Sequence, residues 1–179
     1  MQCVCTDVPE ISLPPGGFYF GRERRVRTIL GSCVSITMWH PGLRIGGMCH
    51  YMLPSHARRR GQGGDLDGRY ADDALALFMR ELGRSGTAPH EYEVKVFGGG
   101  RMLAGGKAGR GEDVMEVGIR NIATARRLLG EQGFRVKAEH LGGDGHRNLL
   151  FDVGSGEIWV RHVALPPRAR SEVPGMAQS

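Results

Sequence analysis

The sequence predicts one α+β domain, in which packed β-sheets carry two covering helices. A chain of 179 residues has the length of a single globular domain with a sizeable core. Seven short segments have the apolar pattern of strands, whereas only two have helical spacing. Their order, βββ-α-β-α-βββ, is neither a regular βα alternation nor all-β, and this favours the α+β class.

The first three predicted strands follow one another closely. They cover residues 26–30, 34–39 and 45–53, and apolar and polar residues alternate in the first two. Only the glycine junction of residues 31–33 separates the first two strands. The turn signal His-Pro-Gly of residues 40–42 precedes the third.

The first helix is predicted to begin at Ala71 and to end at Gly83. It follows residues 54–69, which show no periodicity and are predicted to form an exposed loop. Asp72 and Asp73 suit the positive end of the helix dipole, and glycine commonly ends a helix. The apolar positions that recur at helical spacing are Ala71, Ala74, Leu75, Phe78 and Leu82.

The second helix is predicted to run from Asn121, as its N-cap, to about Gln132, with Gly133 as the C-terminal stop. A strand at residues 92–96 precedes it and leads into a triple glycine and a glycine-rich arm that ends at residue 111. The predicted inward positions of the helix are Ile122, Ala125 and Leu129.

Three further strands complete the predicted domain, and both ends of the chain are predicted to be irregular. Prolines and small polar residues concentrate in residues 1–17 and 165–179. The folded domain is therefore predicted to cover residues 18–164. Its last strands are predicted at residues 134–138, 149–153 and 158–163.

The composition argues against several classes of protein. No stretch approaches the roughly 18 uninterrupted apolar residues of a membrane helix. The first residues lack the basic and apolar regions of a secretory signal, so a cytoplasmic location is expected. Four cysteines without a CxxC pair are too few for a disulfide scaffold and give poor support to structural zinc.

The net charge of +5 leaves three interpretations open, and 21 of the 24 basic residues are arginine. The arginines concentrate at residues 22–27, at residues 58–60 and in the tail, without the interleaved aromatic residues of a single-strand binder. Solvated loops are the preferred interpretation, and an acidic protein partner comes second. A nucleic-acid binder is third, and a steep salt dependence of affinity would reveal it.

Cys33 is the candidate nucleophile, because a tight glycine junction between strands can place a thiol beside backbone N–H groups. A free thiol, with a pKa near ~8.5, needs a base at neutral pH. His50, on the third predicted strand, is the candidate base, and we expect it to lower the pKa of Cys33. Thr28 is the candidate third member, with a hydroxyl that can orient His50.

A purely structural interpretation of these residues stays open. From spacing alone, a buried small cysteine with an unrelated histidine is the more common case, and threonine in a strand is usually only a strand residue. The other cysteines are weaker candidates. Cys49 alternates to the face opposite His50, and Cys3 and Cys5 lie in the irregular start.

Five short motifs follow one another along the chain: LGSCV at residues 30–34, GGMCHYMLP at 46–54, FGGG at 97–100, GIRN at 118–121 and LGG at 141–143. Taken together, they resemble the CheD family of chemoreceptor glutamine deamidases. The resemblance covers about residues 18–164. The first two motifs make it specific, since FGGG or GIRN alone is a weak signal.

The resemblance implies a bacterial cytoplasmic enzyme that hydrolyses glutamine side chains on chemotaxis receptors to glutamate and ammonia. It implies that Cys33 is the nucleophile, His50 the base and Thr28 the third member of the catalytic set. The thiol chemistry proceeds through a thioester and needs no metal or organic cofactor.

The resemblance also sets expectations for the fold, the oxyanion and the partners. The fold is expected to be similar to that of the cytotoxic necrotizing factor deamidases. Backbone N–H groups near Gly31, Ser32 and Val34 are expected to support the turn and to hold the oxyanion. Some members of the family bind a CheC-type phosphatase, so the alternative function is a weakly catalytic or non-catalytic regulatory module for such a partner.

Overall fold

The computed structural model describes residues 8–56, 65–102 and 110–165, and for residues 110–115 it describes the backbone alone. The described chain forms nine strands, two α-helices and one short 3-10 turn. The helices are α1 (Ala71–Ser85) and α2 (Arg110–Glu131). The strands are β1 (Glu10–Ser12), β2 (Phe18–Gly21), β3 (Arg25–Leu30), β4 (Val34–His40), β5 (Ile45–Cys49), β6 (Glu93–Gly98), β7 (Val136–Leu141), β8 (His146–Asp152) and β9 (Ile158–Val163).

The strands form two sheets, and the α+β prediction is confirmed. One sheet has four strands in the order β1-β3-β8-β9, and the other has five in the order β2-β5-β4-β6-β7. Most neighbouring strands are antiparallel, but β1 is parallel to β3 and β6 is parallel to β7. The similarity to the cytotoxic necrotizing factor deamidases stays a prediction.

Side-chain alternation gives the five-stranded sheet two apolar faces, and each face belongs to a different core. One face packs against α1 and α2, and the other packs against the four-stranded sheet. In β6, for example, Val96 faces the helices and Phe97 faces the second sheet. The molecule therefore has a helix layer, a central sheet and an outer sheet.

Two strands that the sequence did not predict lie near the N-terminus. β1 falls within residues 1–17, which are predicted to be irregular, and β2 begins at Phe18. β1 is only three residues long, so it shows no periodicity of its own. Pairing with β3 holds it in place, and the next residue, Leu13, is buried in the core between the sheets.

The third predicted strand ends earlier than predicted. β5 stops at Cys49, so His50 follows the strand instead of lying within it. The pairing then continues as isolated bridges, from Tyr51 to Val34 and from Leu53 to Tyr70. The apolar run of the sequence extends through these bridges, and this explains the longer prediction.

The predicted end of the first helix at Gly83 is wrong, and so is the predicted start of the second helix at Asn121. Helix α1 continues to Ser85 and is capped by Gly86, whose φ of 65° is the left-handed conformation that favours glycine. Helix α2 begins at Arg110, so Asn121 lies in its interior and is fully buried. Tertiary hydrogen bonds occupy the Asn121 side chain, which overrides its tendency to cap a helix.

The later strands lie close to their predicted positions, shifted by a few residues. Residues 57–64, 103–109 and 166–179, from the predicted loop, arm and tail, lie outside the described residues, as do Cys3 and Cys5. No helix within the described ranges is long and apolar enough to cross a membrane.

Candidate active site

The antiparallel pairing of β4 with β5 continues past the start of β4 and the end of β5, and it places Cys33 and His50 on the same face of the central sheet. Val34 and Tyr51 form an antiparallel bridge with hydrogen bonds of 3.0 Å in both directions. In that register Cys33 lies opposite Met52, so His50, two residues earlier than Met52, is its diagonal neighbour. Both side chains therefore point towards the four-stranded sheet.

Thr28 approaches the same space from the four-stranded sheet. It lies between the core residues Val26 and Leu30 on the buried face of β3 and is only 4% exposed. Its Oγ1 lies 2.8 Å from Nδ1 of His50 and 2.8 Å from the carbonyl oxygen of Leu13. The predicted partnership of Thr28 and His50 is therefore present as a direct hydrogen bond.

These contacts determine which ring nitrogen of His50 carries the proton. A carbonyl oxygen only accepts hydrogen bonds, so the Thr28 hydroxyl donates to Leu13. The same hydroxyl oxygen must then accept from the Nδ1–H of His50. Nε2 is left with its lone pair, which is the form that a general base requires.

The N-terminal segment holds the backbone of His50 as well as its ring. The His50 N–H donates to the Gly17 carbonyl at 3.0 Å, and the Gly16 N–H donates to the His50 carbonyl at 2.7 Å. Gly16 has a φ of 81°, which only glycine adopts readily. The residues just before β2 therefore support the candidate base, although the sequence predicts them to be irregular.

Burial disfavours the charged forms of both Cys33 and His50. Burial raises the pKa of the Cys33 thiol, and its own N–H opposes this shift. Burial lowers the pKa of His50, against an opposing effect of the Leu13 carbonyl. The expectation that His50 lowers the pKa of Cys33 is wrong, because desolvation disfavours both charged forms.

The structure does not join Cys33 directly to His50. Within the described residues Nε2 of His50 has no hydrogen-bond partner, although the atom is buried. Hydrogen bonds between a nucleophile and its base are often long in the absence of substrate and shorten when substrate binds. The geometry thus brings Thr28 and His50 into contact and leaves Cys33 on the same face beside them.

Residues 31–33 form the loop that carries the candidate nucleophile, which we call the Cys33 loop. Its three successive backbone carbonyls each accept a hydrogen bond. The Gly31 carbonyl accepts from the Gly100 N–H at 2.8 Å, and the Cys33 carbonyl accepts from the Gly99 N–H at 2.8 Å. Between them, the Ser32 carbonyl accepts from the Asn121 side chain at 3.2 Å. The triple glycine of the sequence therefore lies directly against the loop of the candidate nucleophile.

Among residues 32–34, one backbone N–H group donates a hydrogen bond to another residue and two do not. The Val34 N–H donates to the Tyr51 carbonyl, so the expectation that it holds an oxyanion is wrong. In the described part of the chain, the N–H groups of Ser32 and Cys33 donate no hydrogen bond to another residue. These two groups are the available oxyanion donors.

Cys49 lies on the opposite face of the central sheet, as predicted. It is fully buried against the helices, and its sulfur accepts a hydrogen bond from the Ile36 N–H at 3.5 Å. Burial raises the pKa of Cys49 to about 12. This thiol is therefore inert in the folded protein.

A cavity of about 660 Å³ borders Thr28 and His50 on the four-stranded sheet. Its walls include the exposed side chains of Ile29 and Trp159. Cys33 is half-buried and is not among the lining residues. In the described ranges no group of three or more His, Cys, Asp or Glu side chains is arranged to hold a metal ion.

Comparison with known proteins identifies the family of this chain. A family model described as CheD chemotactic sensory transduction matches residues 52–162. A protein of Dechloromonas aromatica named probable chemoreceptor glutamine deamidase CheD 3 is 44% identical over 174 residues, which cover 97% of each chain.

Two further relatives have similar names. The probable chemoreceptor glutamine deamidase CheD of Pseudomonas savastanoi is 48% identical over 87% of this chain and 85% of its own. The probable chemoreceptor glutamine deamidase CheD 1 of Leptospira interrogans is 38% identical over 86% of this chain and 92% of its own. The chain therefore belongs to the CheD family.

Proposed function

We propose that this protein hydrolyses the side-chain amide of glutamine residues on chemotaxis receptors, giving glutamate and ammonia, with Cys33 as the nucleophile. The observation that carries the proposal is the Thr28–His50 hydrogen bond, which leaves the Nε2 lone pair free on the face that Cys33 shares. The names of the relatives support the reaction and the substrate class, since each is named a chemoreceptor glutamine deamidase.

The reaction begins from a neutral thiol and a neutral imidazole, because burial disfavours the charged form of both groups. Nε2 of His50 takes the proton from Cys33 as its sulfur bonds to the carboxamide carbon. The N–H groups of Ser32 and Cys33 stabilise the negative oxygen of the tetrahedral intermediate. The pair therefore acts by general base catalysis at the moment of attack.

The tetrahedral intermediate breaks down to a thioester, and water then hydrolyses the thioester. The carbon–nitrogen bond breaks while the imidazolium of His50 returns its proton to the departing ammonia, leaving a thioester on Cys33. A water molecule, deprotonated by Nε2, attacks the thioester carbon and releases the glutamate side chain and the free thiol. These steps use only groups of the chain and water, so they require no cofactor.

The substrate class agrees with the charge of the protein. The net charge is +5, and receptor helices rich in glutamate and glutamine are acidic, so electrostatic attraction favours docking. A CheC-type phosphatase as partner and a cytoplasmic location stay predictions from the family resemblance.

The test is a direct turnover assay. The purified protein is incubated with the cytoplasmic domains of the organism's receptors, and peptide mass spectrometry detects conversion of glutamine to glutamate. The matched control is Cys33→Ala, which removes one sulfur and should abolish conversion. Conversion by Cys33→Ala at the wild-type rate would exclude this nucleophile. An inactive wild type that still binds a CheC-type phosphatase would favour the regulatory alternative.

A further inference from the structure

Asn121 on helix α2 contacts both chain segments of the candidate site. Its Nδ2 donates to the Ser32 carbonyl at 3.2 Å and to the Met52 carbonyl at 2.8 Å. Its backbone carbonyl accepts from the Tyr51 hydroxyl at 2.7 Å. One residue of the helix thereby links the chain beside Cys33 to the chain just after His50.

The hydrogen bonds of Asn121 determine the orientation of its amide. The NH₂ group has two hydrogens, and the carbonyls of Ser32 and Met52 accept both. A flipped amide would place Oδ1 against two carbonyl oxygens and lose both bonds. Asn121 is fully buried, so water offers it no alternative partner.

The cost of this arrangement indicates a role other than packing. Oδ1 of Asn121 is buried and makes no hydrogen bond among the described residues. An unsatisfied buried acceptor loses its hydration without compensation, so the Oδ1 atom counts against stability at this position. The two donated hydrogen bonds are what an apolar residue could not supply.

The bond to Ser32 controls the direction of a neighbouring N–H group. In a trans peptide the carbonyl of one residue and the N–H of the next point in opposite directions. Since the Ser32 carbonyl points towards α2, the Cys33 N–H points away from the helix. That N–H donates to no other residue in the described chain and is one of the two available oxyanion donors.

The other carbonyls of this loop have backbone donors. Gly100 and Gly99 hold the carbonyls on either side of the Ser32–Cys33 peptide, and their N–H groups are independent of side-chain identity. Asn121 supplies the remaining bond, at the peptide whose N–H belongs to the nucleophile. A substitution at this position would release the peptide that carries the Cys33 N–H, one of the two available oxyanion donors.

We infer that Asn121 is a positioning residue, which orients the Ser32–Cys33 peptide so that the Cys33 N–H faces the oxyanion of the tetrahedral intermediate. The inference rests on the proposed deamidation. Asn121 itself does not touch the substrate, and it acts through the peptide that it holds.

The experiment compares Asn121→Ala and Asn121→Leu with wild type in the receptor deamidation assay. Each variant is expected to lower kcat on the order of a hundredfold, which is typical for the loss of an oxyanion donor. KM should change little, because the oxyanion exists only after attack. Asn121→Leu restores packing and provides a folded variant if Asn121→Ala is too unstable.

Two controls separate positioning from a general structural effect. Leu129→Ala removes a fully buried side chain from the same helix without touching the loop, and its kcat should stay near wild type while it is folded. The rate at which iodoacetamide labels Cys33 should stay close to wild type in the Asn121 variants, since alkylation has no oxyanion.

The outcomes distinguish this inference from the proposed function. A kcat for the Asn121 variants equal to that of Leu129→Ala, with active wild type, would overturn the positioning role alone. A rise in KM at unchanged kcat would also overturn it, because it would assign Asn121 to substrate binding. Wild type without any turnover would overturn the proposed function and the inference with it.

Discussion

Thr28 shows how a single hydroxyl can prepare a histidine for catalysis. It stands between the Leu13 carbonyl and the His50 ring, and both of its contacts are 2.8 Å long. Because the carbonyl can only accept, the Thr28 hydroxyl donates its hydrogen to Leu13. The hydroxyl oxygen then accepts the hydrogen bond from the Nδ1–H of His50. The tautomer of the base is therefore a consequence of the position of Leu13.

Replacing Thr28 with valine keeps the shape of the side chain and removes the hydroxyl. We expect kcat to fall by about tenfold, which is less than the roughly hundredfold or greater loss expected without the base itself. Thr28→Ser should keep most of the activity, since it keeps the hydroxyl. Release of ammonia, measured for all three proteins at one pH, tests this, and a Thr28→Val variant at the wild-type rate would remove Thr28 from the catalytic set.

The labelling of Cys33 should follow its raised pKa. A thiol that titrates above its ordinary value of 9 is protonated at neutral pH, so iodoacetamide labelling should be slow in mild acid and rise with pH through that value. His50→Ala should give the same profile, because burial lowers the pKa of His50 and so disfavours the imidazolium that would stabilise a thiolate. Peptide mapping measures both proteins. Labelling in mild acid that His50→Ala abolishes would instead show a preformed thiolate–imidazolium pair.

At the scale of elements, the segment between β1 and β2 supplies hydrogen bonds that hold Thr28 and His50 in place. Leu13 supplies the acceptor for Thr28, while Gly16 and Gly17 hold the backbone of His50. This segment leaves β1 after only three paired residues and turns back through two prolines. The turn is what brings its carbonyl and N–H groups to the candidate base.

Gly16→Ala tests this connection. Its φ of 81° is unfavourable for alanine, and the added Cβ would lie 2.7 Å from Cγ of Arg69. We expect the free energy of unfolding to fall by about 1–2 kcal/mol. We also expect kcat to fall, because the Gly16 N–H holds the His50 carbonyl. Urea unfolding and the ammonia assay measure the two effects.

Gly86→Ala is the matched control, because it introduces similar backbone strain at a residue that makes no contact with the candidate site. Its φ of 65° carries a similar penalty for alanine, but nothing lies within 4 Å of the added Cβ and the residue caps α1 far from the site in sequence. It should lose about 1 kcal/mol of stability and keep wild-type kcat. If both variants lose the same activity, the effect of Gly16 is a stability effect only.

At the scale of the whole molecule, a buried arginine connects the two sheets. Arg147 of β8 is 1% exposed, and its Nε donates to Nδ1 of His140 on β7 at 2.9 Å. Its Nη2 donates to the Gly142 carbonyl just after β7. Burial lowers the pKa of this guanidinium, because loss of hydration disfavours its charged form.

Arg147→Lys should lower the free energy of unfolding by about 2 kcal/mol. The guanidinium donates to two acceptors at the other sheet, and a single ammonium cannot reproduce both hydrogen bonds. The control is Arg126→Lys, which alters an exposed ion pair with Glu139 of β7 and should change stability by less than about 1 kcal/mol. Urea unfolding of the three proteins measures the difference. Equal stabilities would show that other packing holds the sheets together.

The local pattern of the sequence determined most of the elements. Alternation along residues 34–39 predicted β4 closely, and the apolar and β-branched residues of 158–163 predicted β9. The helical spacing from Ala71 to Leu82 likewise predicted α1. The glycine junction and the residue types at Cys33 and His50 were sufficient to select candidates for the site.

Only the tertiary structure decided how these candidates meet. Whether Thr28 reaches His50 depends on the register between β3 and its neighbours and on the carbonyl of Leu13, which no local pattern encodes. The sequence placed Asn121 at a helix start, whereas contacts 69 and 89 residues away along the chain put it inside α2 beside the Cys33 loop. Periodicity reports which face of an element is buried. It carries no information about hydrogen bonds between segments distant in sequence, and these bonds set the tautomer, the peptide direction and the burial on which the chemistry depends.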